Sequence, residues 1–223
     1  TAEVKEELGA SQSGKATVRA AELATILRFS GGLHVISGRI AVESEVESEQ
    51  LAKRIRKHIV ELYGVRAEIT IVSASGVRRT SHYLVRVLDG GETLARQTGL
   101  LDARRRPIRG LPNRLTTGSR EDLAAVWRGA FLASGSLTDP GRSAVLEVTC
   151  PGNEAAMALV GAAGRLRIAA KAREVRGIHR VVVRDGEAIG AMLELMGATK
   201  GVAAWTLLRP RPEVRAPANR LVN

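Results

Sequence analysis

The chain has 223 residues, 44% of them hydrophobic and 26% charged, and its 34 Lys and Arg against 23 Asp and Glu leave a formal net charge of +11. That apolar content suits a soluble globular protein, and no apolar run approaches the roughly 20 residues that a membrane helix needs. A lone cysteine, Cys150, excludes an internal disulfide and a cysteine-cluster metal site, while the basic excess favours polyanionic partners through long-range, salt-sensitive attraction.

Residues 1–8 read as an acidic helix. Glu3, Lys5, Glu6 and Glu7 stand where a secretion signal would be apolar, so an intracellular chain is expected. Gly9 to Ala16 matches the glycine-rich phosphate loop through Lys15, but Ala16 replaces the hydroxyl that would hold magnesium and no strand precedes it; a hinge is the better reading. An apolar helix is expected over 19–29, then strands over 33–37 and 39–46. Ser48 and Glu49 cap a helix running to Leu62, with Leu51, Ile55, Ile59 and Leu62 at helical spacing. Strands at 67–73 and 81–88 and a short helix at 92–98 follow. Residues 102–118 carry Arg104, Arg105, Arg106, Arg109 and Arg114 among Pro and Gly, the composition of an exposed basic linker. Beyond it come a helix at 119–133, a strand at 143–150, a helix at 153–165, strands at 168–175 and 178–184, and a helix at 186–196. Residues 209–223 open with Arg209-Pro210-Arg211-Pro212 and read as a linker.

The two halves repeat each other. Leu27-Arg28-Phe29-Ser30-Gly31-Gly32 and Phe131-Leu132-Ala133-Ser134-Gly135-Ser136 both end an apolar helix in serine and glycine, and Val85 to Glu92 parallels Val181 to Glu187. A two-copy repeat of about a hundred residues is too long for a solenoid and fits two pseudosymmetric lobes, 19–101 and 119–208, each α+β with the order αββαββα. The paired helices resemble the signature helices of the LAGLIDADG homing endonucleases. That resemblance implies a close helix pair between lobes, through Ala24, Leu27 and Gly31 on one side and Gly129, Ala133 and Gly135 on the other. It also implies a metal-binding acid at each helix end, where this chain has Ser30 and Ser134. The fold without the nuclease is therefore expected, with no catalytic residue, metal or cofactor.

Strand alternation gives each sheet an apolar face and a basic-leaning one. If the open faces lie along DNA as in those nucleases, Arg86, Lys171, Arg173, Arg180 and Arg184 are the candidate phosphate contacts, joined by Arg104, Arg105, Arg106 and Arg109 of the linker. With only six aromatic residues in the chain, base stacking is not expected to contribute. His34, His58, His82 and His179 have no zinc-site spacing.

Trp127 to Ser136, Leu94 to Leu100, Arg106 to Pro112 and Lys171 to Gly177, with Leu27 to His34, are similar to the WhiA family of bacterial regulators of sporulation and cell division. The resemblance implies a non-cutting, cytoplasmic and nucleoid-associated DNA-binding regulator whose helix-turn-helix domain would follow residues 209–223, with the iron-sulfur regulator WhiB as a partner and no membrane. Two rivals stay open: a metal-dependent endonuclease using Asp139 or Glu147, and a module that binds only protein.

Overall fold

A computed structural model describes residues 1–11, 14–77, 80–138 and 143–208. The first lobe runs α2 (Ala16–Ser30), β1 (Gly31–Ile36), β2 (Arg39–Val46), α3 (Glu49–Tyr63), β3 (Glu68–Val72), β4 (His82–Val87) and α4 (Gly91–Gln97). The second runs α6 (Arg120–Ser134), β5 (Gly135–Leu137), β6 (Leu146–Cys150), α7 (Asn153–Arg165), β7 (Lys171–Val175), β8 (Ile178–Val183) and α8 (Gly186–Met196). Each lobe is αββαββα, as the repeat predicts. Three further helices fall outside the repeat: α1 (Ala2–Ala10), α5 (Asn113–Thr116) and α9 (Thr199–Leu208).

Both sheets are antiparallel with the second and fourth strands in the middle, in the orders β1-β2-β4-β3 and β5-β6-β8-β7. Their inner faces carry Val42, Val46, Val85 and Val87 in the first lobe and Leu146, Val148, Val181 and Val183 in the second, all buried. Period-two alternation leaves the other face of each sheet uncovered by its own helices. Three of the described helices are capped by the residue before them, α8 through the Asp185 carboxylate, which accepts from the Glu187 and Ala188 N–H groups. Ser48 accepts a hydrogen bond from the Leu51 N–H at the start of α3, and Ser119 and Asp122 form a reciprocal capping box on α6.

The helices α2 and α6 pack against each other more extensively than any other helix pair, and their apolar residues join one continuous core. All six aromatic side chains belong to it or pack on it: Trp127 and Phe131 are fully buried, and the Trp127 indole N–H donates to the Leu159 carbonyl at 3.1 Å. The N-terminal helix is docked on this core through Val4 and Leu8. Arg54 of α3 donates to the Gly9 and Ser11 carbonyls, so the described part of the expected hinge is tied down; Gln12 and Ser13 lie outside the described residues. Lys15 precedes α2, exposed and paired with Glu121, and a helix rather than a strand comes before it, so the phosphate-loop context is absent. Glu7 accepts from the Lys200 and Gly201 N–H groups and caps the start of α9. Among the described residues no helix is long and apolar enough to cross a membrane.

The segment between lobes is folded onto the core. Leu111 and Leu115 are buried, and Asp102 accepts hydrogen bonds from the Arg106 and Arg104 N–H groups, which hold its carboxyl below the usual carboxylate range. Gly161, by contrast, sits mid-helix in α7 with open space where a Cβ would point. Gly161→Ala is expected to raise stability by about 0.5–1 kcal/mol in denaturant melts, because it removes the entropic cost of a helical glycine without a clash.

Candidate nucleic-acid interface

At the end of α2 the Ser30 hydroxyl lies 2.5 Å from both the Ile26 carbonyl and the hydroxyl of buried Ser44 on β2. At the end of α6 the Ser134 hydroxyl donates to the Thr149 carbonyl of β6 at 2.6 Å. Both side chains are thus engaged with the second strand of their own sheet. Each is followed directly by a glycine that begins the first strand. A Cβ on Gly31 would lie 1.9 Å from the Glu43 carbonyl, so the chain can leave α2 along β2 only with glycine there.

Of the six residues expected at the helix seam, Ala24, Leu27 and Gly129 lie within the packed core or at the crossing. The crossing point is Gly129, where an added Cβ would stand 2.5 Å from the Glu22 carbonyl and 3.1 Å from the Thr25 Cβ. Gly31 and Gly135 are tight for a different reason, facing β2 and the Phe131 ring of their own lobes. Ala133 is half-buried and borders a groove of about 1160 Å³ between α1, α6 and the ends of β2 and β4.

Beside the crossing lies a buried ionic cluster. Glu22, with no exposed surface, receives a two-pronged pair of hydrogen bonds from Arg54 (2.9 and 3.0 Å) and a third at 2.5 Å from Arg128 of the other lobe. Burial pushes the Glu22 carboxyl up, but the hydrogen bonds and charges of the two guanidinium groups outweigh it and hold the group below its ordinary range. His58 Nδ1 lies 3.5 Å from the same carboxylate. Burial dominates there and pushes the imidazole down to about 4, with Arg54 and Arg19 adding to the shift against the pull of Glu22. None of this cluster was among the sequence candidates. The available signal was a lone Glu inside an apolar helix.

The candidate cations are spread over three places. Arg86 lies on the open face of the first sheet, where Glu43 takes up its charge at 2.8 Å. Lys171, Arg173 and Arg180 share the open face of the second sheet, and Arg184 follows β8 directly. In the interlobe segment Arg105 pairs with Glu92, Arg106 with Asp102 and Arg109 with Glu154. Cys150 is buried at the end of β6, and burial pushes its thiol up to about 12, the profile of an inert structural cysteine. Among the described residues no group of three or more His, Cys, Asp or Glu could hold a metal ion. Asp139 lies outside them.

Models of the WhiA N-terminal LAGLIDADG-like domain and the WhiA LAGLIDADG-like domain match residues 16–101 and 123–215. The chain belongs to the WhiA family. It is 77% identical over all 223 residues to the probable cell division protein WhiA of Leifsonia xyli subsp. xyli, and 60% identical to that of Mycobacteroides abscessus, in each case spanning 68% of the relative's length. Among solved structures it is similar to full-length DUF199/WhiA from Thermatoga maritima, with a TM-score of 0.71 at 17% identity over 92% of this chain and 64% of that one. It is also similar to I-DmoI in complex with DNA and Mn, with a TM-score of 0.59 at 17% identity over 82% of this chain and 98% of that one. The WhiA fold is thus that of a LAGLIDADG homing endonuclease, with the two family-model matches falling on the two lobes.

Proposed function

We propose that the two lobes form a non-cutting scaffold within a WhiA-type transcriptional regulator of cell division and sporulation, lending auxiliary contacts to the DNA backbone. In this reading a helix-turn-helix domain of the WhiA-type regulator reads the sequence, the whole works at the nucleoid, and the iron-sulfur regulator WhiB is the proposed protein partner. The observation that carries this reading is the state of the two helix ends. The LAGLIDADG resemblance implies a metal-binding carboxylate at the end of each of these helices, where this chain has Ser30 and Ser134, and each hydroxyl is hydrogen-bonded into its own sheet. A serine offers neither the charge nor the paired oxygens that bind a divalent cation between two scissile phosphates. The rival built on Glu147 is disfavoured because Arg180 holds that carboxylate at 3.0 Å.

Calorimetric titration with Mn²⁺ tests the reading. No saturable heat is expected from this chain, and a stoichiometric isotherm would contradict it. In a Ser30→Asp, Ser134→Asp double variant, which places a carboxylate at each helix end, stability that rises on adding Mn²⁺ is the expected gain.

A further inference from the structure

The strand registers align the two sheets residue by residue. Gly31 faces Ser44 as Gly135 faces Val148, and Val42 faces Val87 as Leu146 faces Val183, so positions on one open face have direct counterparts on the other. Glu68 corresponds to Lys171, Thr70 to Arg173, Leu84 to Arg180 and Glu45 to Thr149. The Glu43 position keeps its carboxylate as Glu147, and only Arg86, replaced by Val182, runs the other way. Among the described residues, each guanidinium on or beside the first face is taken up by a carboxylate: Arg86 by Glu43, Arg39 by Asp89 and Arg66 by Glu68, while His82 lies 3.7 Å from Glu45. The second face carries three cations, Lys171, Arg173 and Arg180, against the one carboxylate of Glu147 among the described residues of its strands.

Two details of the second face point to an anionic ligand. Arg173 and Arg180 are direct cross-strand partners, an arrangement of like charges that destabilises a sheet unless an anion lies between them. Lys171 and Arg173 have no ion pair among the described residues, and Arg180, although held by Glu147 through Nη1, has a buried Nε–H without a partner. The strand β7 that presents Lys171 and Arg173 is exposed along its whole length at the sheet edge.

We infer that duplex DNA is contacted by the second lobe alone, with Arg173 and Arg180 straddling a backbone phosphate and Lys171 beside them, while the guanidinium groups described on the first face are already held by carboxylates and are not offered to the duplex. A strand the length of β8 spans only about 20 Å, so the contact covers little more than half a helical turn. The inference rests on the reading of the lobes as a nucleic-acid scaffold and narrows it to one face.

Fluorescence anisotropy on a mixed-sequence duplex across a salt series tests it, using the whole chain and the variants Arg173→Glu and Arg86→Ala. Arg173→Glu places an opposite charge across from Arg180, so its melting midpoint should rise while its affinity falls by about tenfold and the salt slope flattens by about 0.9 for each phosphate no longer engaged. Weakened binding thus cannot be mistaken for unfolding. Arg86→Ala should bind as the parent does. If the parent binds and Arg173→Glu binds equally well, or Arg86→Ala is weakened as much, the one-lobe contact is wrong while the scaffold reading stands. If the parent binds no duplex even at low salt, both fall.

Discussion

Replacing Glu22 with Gln is expected to lower the unfolding free energy by about 3–5 kcal/mol, the cost of leaving buried charges without their counter-charge. Arg54 and Arg128 are both at least nine-tenths buried, come from different lobes, and direct three hydrogen bonds at this one carboxylate. A Gln side chain can accept at one oxygen but carries no charge, so two guanidinium groups would remain desolvated at the seam. Denaturant melts of the variant measure the loss, and a change under about 1 kcal/mol would show that the seam relaxes and admits water. Acid should strike the same place in two stages. His58 is neutral in the fold and pushed down to about 4, so its contribution, on the order of 2 kcal/mol, is complete above the ordinary imidazole value near 6.5 and lost as pH falls towards 4. Glu22, held below its usual range, contributes above that range and is lost only in stronger acid. A His58→Gln variant should flatten the upper stage and leave the lower one.

Gly129→Leu is expected to cost about 3 kcal/mol, at the upper end of what overpacking a core costs. The obstacle at 2.5 Å is the Glu22 carbonyl, which is backbone and cannot swing aside. Helix propensity works against this loss by about 1 kcal/mol and is too small to reverse it. The damage should propagate to the ionic cluster, because parting α2 from α6 also draws Arg128 away from Glu22. A double-mutant cycle of Gly129→Leu with Glu22→Gln should therefore fall short of additivity. Full additivity would mean that the steric and ionic contacts at the seam are independent.

Much of this architecture was legible because the sequence states it twice. One apolar helix ending in Ser-Gly is ambiguous; two, each followed by a strand and then by a matching Val-rich strand running into Asp-Gly, define lobes and their order. Helix ends were readable where a side chain caps them, as at Ser48. The strand β5 was not assigned a range, because three residues carry too little alternation to show a period. The interlobe segment read as an exposed basic linker from its composition, yet Leu111 and Leu115 anchor it, and two isolated leucines give no periodic signal. The charge on the open faces was harder still. Arg86, Arg173 and Arg180 look alike in sequence; only the register shows that Glu43 sits across from the first and that the other two face each other. The buried cluster needed the fold outright, since Glu22, Arg54 and Arg128 are distant in the chain and two of them look like surface charges.

Incubation of supercoiled plasmid with excess protein and either Mg²⁺ or Mn²⁺ tests the non-cutting scaffold most directly. With Ser30 and Ser134 hydrogen-bonded into their sheets, the plasmid should stay supercoiled over any interval in which the same protein shifts it in a gel at low salt. Nicking that persists through repurification and disappears in Glu147→Ala or Asp139→Ala would contradict it, and would mean that these lobes have rebuilt a metal site from other carboxylates.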